Sequence, residues 1–241
     1  MPTFAELQKD SFVYVRAALS EHMLSVCPIV GKQTTTKDIL PVFLLLLRDE
    51  NSEVRLNLFK RLEDLNSVVG IEDLQTSLLP SVEELAKDKN WRFKIQVINQ
   101  FPMLAKQLGE TFFNDKLSLF CDQWIKDNIY SVREAALVNY KELTVIFGED
   151  WCISRALPSL FALQSEISYL HRLTVLFGMT ELSSVCSSNT VKQKFLPLIQ
   201  TMQKDPVANV RLNVAKTLHS LQTHTKQNND LKVSLSKVII F

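Results

Sequence analysis

Hydrophobic and polar positions recur along this chain in register over a long interval. Basic residues stand at Arg16, Arg55, Lys94, Arg133, Arg172 and Arg211, each thirty-nine residues after the last. Six residues ahead of each lies an acid: Asp10, Asp49, Asp88, Asp127, Glu166 and Asp205. Fourteen ahead lies Pro2, Pro41, Pro80, Leu119, Pro158 or Pro197. Fifteen beyond the first four anchors stand Gly31, Gly70, Gly109 and Gly148, a column that lapses at Ser187 and Lys226. Apolar residues two and five positions after the proline column (Phe43/Leu46, Val82/Leu85, Cys121/Trp124, Leu160/Leu163, Ile199/Met202) predict a short helix with one buried face. Proline is tolerated in its first turn, where a missing N–H costs nothing. A second helix is predicted by Leu58/Leu62/Leu65, Val97/Phe101/Leu104, Ala136/Tyr140/Leu143 and Val175/Met179/Leu182. The acid-led stretch between them reads as a turn in which Ser or Asn caps the next helix. The glycine is expected to close the second helix in the left-handed conformation. The offset of acid and base predicts a ladder in which each acid meets a basic partner of its own or a neighbouring repeat.

Two helices per repeat, stacked in tandem, make an all-α fold of the α-solenoid class. The spacing, the proline and the Asp…Val-Arg turn resemble HEAT repeats. The whole chain, 1–241, reads as one solenoid of six helix pairs, about 1–31, 32–70, 71–109, 110–148, 149–187 and 188–226. A partial seventh repeat, 227–241, is expected to supply one unpaired helix ending in Val238-Ile239-Ile240-Phe241, an apolar surface suited to self-association. Solenoids need polar end caps, so the chain is expected to be a fragment or shortened version of a longer array.

Composition narrows the function. With 27 basic and 26 acidic side chains, bulk charge offers no nucleic-acid or membrane surface. Apolar runs such as Val42-Phe43-Leu44-Leu45-Leu46-Leu47 fall far short of the ~20 residues that span a bilayer. Cys27, Cys121, Cys152 and Cys186 are widely spaced, with no CxxC pair, and read as buried apolar groups. His22, His171, His219 and His224 lack metal-ligand spacing, and no phosphate-binding or nucleophile-elbow motif occurs. A non-catalytic protein without metal or cofactor, in the cytoplasm or also the nucleus, is the expectation.

More specific strings run in order: Glu53-Val54-Arg55-Leu56-Asn57, Gln75-Thr76-Ser77-Leu78-Leu79-Pro80, Trp91-Arg92, Gln107-Leu108-Gly109, Arg133-Glu134-Ala135-Ala136, Tyr169-Leu170-His171-Arg172, Leu182-Ser183-Ser184-Val185-Cys186, and Asp205-Pro206-Val207-Ala208-Asn209-Val210-Arg211. Over about residues 12–241 they resemble the C-terminal part of the scaffold (structural A) subunits of type 2A serine/threonine protein phosphatases. The resemblance implies a horseshoe whose N-terminal repeats hold a regulatory B subunit and whose C-terminal repeats hold the catalytic subunit. Both would dock largely on turns between paired helices. On that comparison the chain keeps most of the catalytic-subunit platform, lacks part of its end, and is expected to bind B subunits weakly or not at all.

The turns supply the candidate contacts. Trp91 lies outside the apolar columns beside Arg92, a composition suited to an interface anchor, or else it covers the neighbouring repeat. Lys89 shares that turn. Tyr130 with Asn128, and Tyr169 with His171 and Arg172, occupy equivalent turns. His171 fills the column of Val15, Val54, Phe93, Val132 and Val210 and reads equally as a packing residue. Pro206, Val207 and Asn209 enter through the family string alone. Trp124 reads as core, while Trp151 and Phe112-Phe113 read as packing between repeats. Two other classes compete with the phosphatase scaffold: a HEAT-repeat transport receptor, against which the near-zero charge argues weakly, and a purely structural array unrelated to phosphatases.

Overall fold

The computed structural model describes residues 2–222. The expected 227–241 helix and its self-association lie outside them. Among the described residues every regular element is helical, and none is long and apolar enough to cross a membrane. The chain divides into two compact units, 1–118 and 119–241.

In the first unit the second helices of the pairs are Val13–His22, Ser52–Asn57 continued by Leu62–Val69, and Trp91–Leu108. Val13–His22 packs on Ser52–Asn57, and Ile71–Ala86 packs on Trp91–Leu108. In the second unit Tyr130–Phe147, Tyr169–Leu182 and Ala208–Gln222 pack in series, and Leu196–Met202 packs on Ala208–Gln222. Every residue of the two apolar column sets named above is buried. Burying side chains of this size contributes on the order of 1.5–3 kcal/mol each, so these columns are the core of each unit.

The first helix of each pair differs from the expectation. From the second pair onward it does not begin at the proline but starts directly after the glycine column, or after Ser187 in the sixth. Pro41, Pro158 and Pro197 do stand in the first turns of Leu40–Leu46, Leu157–Phe161 and Leu196–Met202. Those segments, however, continue π-helical turns at Thr35–Ile39, Cys152–Ala156 and Val191–Phe195. A proline ring clashes with the carbonyl four residues back, and a widened turn relieves that clash. The same wide turn occurs at Phe113–Leu117, ahead of Leu119, so it does not depend on proline. Pro80 sits inside the helix Ile71–Ala86.

The glycines also depart from expectation in one angle. Gly31, Gly70, Gly109 and Gly148 all have positive φ, but their ψ values of 174°, 156°, 158° and 170° are extended. This corner of backbone space is accessible essentially to glycine alone and lies outside the left-handed helical well. The Gly70, Gly109 and Gly148 N–H groups close the preceding helices, for example Gly70 N–H to the Asn66 carbonyl at 3.0 Å. The extended ψ then swings the chain straight into the next helix.

The ladder forms between successive repeats. Arg16 reaches Asp49 at 2.7 Å, Arg55 reaches Asp88 at 3.9 Å, and Arg172 reaches Asp205 at 2.6 Å. Two of these arginines also bind their own turns through a backbone oxygen: Arg16 donates to the Asp10 carbonyl at 2.7 Å and Arg172 to that of Glu166 at 2.8 Å. The acid is pinned locally too, because Asp49, Asp88 and Asp205 each accept from the N–H two residues on. One guanidinium thereby ties its own turn to the next.

Candidate functional site

The turn of the third repeat lies in the first unit. Asn90 caps the helix Trp91–Leu108 by accepting from the Arg92 and Phe93 N–H groups, as expected for Asn at this position. Trp91 is half-buried, while Lys89 and Arg92 are exposed. The Arg92 guanidinium lies 4.8 Å from the Trp91 ring centroid, within cation–π range. An exposed cation held over a half-covered indole offers a partner a broad apolar face bordered by positive charge. Arg55, packed over the Phe93 ring at 3.9 Å, lies just beneath this turn.

Three turns lie in the second unit. Tyr130 is 49% exposed. Its ring meets Phe177 edge-on at 6.1 Å and its hydroxyl donates to Glu134 at 3.2 Å. Burial and the Glu134 charge raise the Tyr130 phenol above its ordinary value, so it stays a neutral donor. Asn128 exposes its amide while its backbone carbonyl accepts from Arg133 at 3.1 Å. Arg133 is 4% exposed; burial lowers its pKa, and its Nε donates to Thr174 rather than to a carboxylate. Glu166, in the acid column, does not reach it as Asp205 reaches Arg172. Tyr130, Arg133, Thr174 and Phe177 line a cleft of about 120 Å³.

Tyr169 is 41% exposed. His171 is half-buried, and its Nδ1 is buried without a hydrogen-bond partner, so the ring carries features of both packing and contact. Arg172 is committed to the fold: both of its terminal nitrogens and its Nε bind within the chain. These contacts hold the turn that carries Tyr169. In the sixth repeat Pro206 and Asn209 are exposed and Val207 is half-buried; Asn209 accepts twice from the Asn213 amide.

Column reasoning overlooked several apolar groups on these turns. Ile167 is 99% exposed, with Leu170 at 40% and Ile129 at 38%. Ile167 occupies the column of Ser11, Glu50, Lys89, Asn128 and Pro206; an isoleucine among polar and proline residues was the available signal. Phe12 and Tyr14, 70% and 80% exposed, crown the first turn in the same way. Trp124 is buried, as its column required, and Trp151 is buried against Tyr140 and Phe147.

No protein-family model matches the chain. It is 43% identical over 81 residues to the regulatory A-type subunit of protein phosphatase PP2A from Saccharomyces cerevisiae, an alignment covering 32% of this chain and 12% of that protein. The counterpart of Schizosaccharomyces pombe is 41% identical over 66 residues, 27% of this chain and 11% of that protein. The chain resembles the A-type regulatory subunits of PP2A. The aligned stretch is shorter than the collinear strings between residues 12 and 241, and the chain matches only about a tenth of these relatives' length. Among solved structures, Cex1p superposes with a TM-score of 0.57 at 16% identity, over 93% of this chain and 45% of that one. A chain from the structure of Kap95p with RanGDP also gives 0.57, at 13% identity, over 91% and 30%. These similarities show the fold, an all-α solenoid of the armadillo and HEAT class, and nothing of function.

Proposed function

We propose that this chain is a non-catalytic scaffold that binds the catalytic subunit of a PP2A-type serine/threonine phosphatase on the turns between its paired helices. The observation that carries the reading is the resemblance to the PP2A regulatory A-type subunit, at 43% identity over 81 residues. The exposed aromatic turns support it, since half-covered Trp and Tyr beside Arg are the side chains that dominate interface energetics. Trp91 and Arg92 form the main anchor, with Lys89 at its edge. Tyr130 with Asn128, Tyr169 with His171, and the Pro206, Val207 and Asn209 turn extend the footprint, while Arg172 holds its turn in place.

The mechanism is mechanical. Repeated turns present several small contacts at once, so each engaged turn raises the effective concentration of the next contact. Phosphatase activity and its metals belong to the partner. Competition tests the reading: the chain is added to a preformed complex of PP2A catalytic subunit with a full-length A-type regulatory subunit. Concentration-dependent displacement is the expected result. Failure to displace, at concentrations far above those of the complex, contradicts it.

A further inference from the structure

Cys152 and Cys186 are separated by thirty-three residues of sequence, yet both lie in the second unit with their Sγ atoms 3.8 Å apart. Cys152 opens the π-helical turn Cys152–Ala156 at the start of the fifth repeat, and Cys186 follows the helix Tyr169–Leu182 at its end. The two ends are already fastened by a neighbouring contact, the Ser187 N–H donating to Glu149 Oε1 at 2.7 Å. Cys27 and Cys121 are buried thiols elsewhere, and Cys121 accepts from the Asn139 amide at 3.4 Å. Cys152 is fully buried, whereas Cys186 is half-buried and gives the pair its access to solvent.

We propose that Cys152 and Cys186 form a modification site, a dithiol that hydrogen peroxide oxidises reversibly to an intramolecular disulfide. Three features of the geometry support this. The sulfurs are in thiol–thiol contact, and closing from 3.8 Å to the ~2.05 Å of a disulfide needs a movement of under about 2 Å, within reach of side-chain rotation. At this separation the Cys186 S–H donates to the Cys152 sulfur and holds that thiol below its ordinary value, while Cys186 is pushed up; the thiolate, the reactive form, is thereby favoured at Cys152. The partial exposure of Cys186 admits a molecule as small as peroxide. Glu149 lies close to both cysteines, and its charge opposes ionisation only as the least of the influences on either.

The chemistry balances. One thiolate attacks a peroxide oxygen, the O–O bond breaks, hydroxide leaves, and that sulfur becomes a sulfenic acid. The second sulfur attacks it, the S–O bond breaks, a second hydroxide leaves, and the S–S bond forms. The two protons released by the thiols convert both hydroxides to water. Two thiols are oxidised, one peroxide is reduced, and a dithiol such as dithiothreitol reverses the step by exchange. The closed loop encloses Leu157–Phe161 and Tyr169–Leu182, so oxidation staples most of one helix pair.

The test uses the whole chain, folded and reduced, exposed to graded hydrogen peroxide. Remaining thiols are blocked with N-ethylmaleimide under denaturing conditions, followed by digestion and mass spectrometry. The expected result is one cross-linked peptide pair containing Cys152 and Cys186, lighter by the two thiol hydrogens and lost on dithiothreitol treatment, with Cys27 and Cys121 still blocked. The oxidised chain should also unfold at a higher temperature, and dithiothreitol should remove that rise. Cys186→Ser should abolish both effects and leave Cys152 blocked by maleimide or trapped by dimedone as a sulfenic acid. Maleimide on both cysteines of the peroxide-treated wild type, or a cross-link joining either to Cys27, Cys121 or another molecule, would overturn the proposal.

Discussion

The Arg172 guanidinium meets the Asp205 carboxylate edge-on, Nε to Oδ2 at 2.6 Å and the second nitrogen to Oδ1 at 3.0 Å. The two residues belong to successive repeats, and both side chains are about nine-tenths covered, at 11% and 7% exposure. A paired, bidentate geometry of this kind is among the stronger charge-assisted contacts. Arg172→Ala strands a mostly covered carboxylate and also frees the Glu166 and Ile167 carbonyls. The expected cost of leaving that carboxylate without its partner is about 1–3 kcal/mol by urea denaturation. Arg172→Lys should recover part of the loss, since lysine cannot reproduce the fork.

The same pair sets an acid dependence. The hydrogen bond from Arg172 holds the Asp205 carboxyl below its ordinary value of 3.8, outweighing the opposing effect of burial. A carboxyl depressed in the folded state stabilises the fold fully above its unfolded value, and that stabilisation is lost as pH falls through the lower, folded value. Chemical denaturation of wild type and Asp205→Asn across pH should therefore show a stability gap that is constant near neutrality and narrows below about pH 4. A gap that does not change on acidification contradicts the assignment.

Gly70 adopts φ 95° and ψ 156°, and a Cβ added there would meet nothing within 4 Å. Gly70→Ala therefore isolates backbone strain, with an expected loss of about 1–3 kcal/mol. Gly178 offers the contrast. It lies inside the helix Tyr169–Leu182, where a Cβ would stand 2.5 Å from Leu160 Cδ2. Gly178→Ala should destabilise by crowding Leu160 and Leu137, and Leu160→Ala should partly rescue it. Thermal unfolding of the single and double variants checks both.

The core was readable in advance because burial depends on helical spacing, and columns such as Leu58/Leu62/Leu65 and Val175/Met179/Leu182 mark one face without reference to neighbours. What escaped reading depends on geometry beyond that spacing. The π-helical turns of Thr35–Ile39 and Phe113–Leu117 have no common residue signature, since one precedes Pro41 and the other Leu119. Gly148 announced a positive φ but not its extended ψ of 170°. The ladder left its register open between own and neighbouring repeats; the structure uses both, with a carbonyl in one and a carboxylate in the next. At the candidate site, aromatic residues drew attention to Trp91 and Tyr130, while Ile167 carried no aromatic flag. The contact between Cys152 and Cys186 arises only once helix packing brings the two ends of a repeat together.

If Ile167 and Tyr169 act in one docking surface, Ile167→Asp should weaken partner binding while leaving stability within about 0.5 kcal/mol, because the side chain is 99% exposed. Urea denaturation and binding measured on the same preparation separate the two effects.

The central claim is tested most directly by titrating purified PP2A catalytic subunit with this chain beside a Trp91→Ala/Arg92→Ala variant, using calorimetry or interferometry. Binding by the wild type, weakened by at least ~30-fold in the variant as expected for loss of a hot spot, is the predicted result. A wild-type chain that shows no binding, while a full-length A-type regulatory subunit of PP2A binds in the same assay, would contradict it.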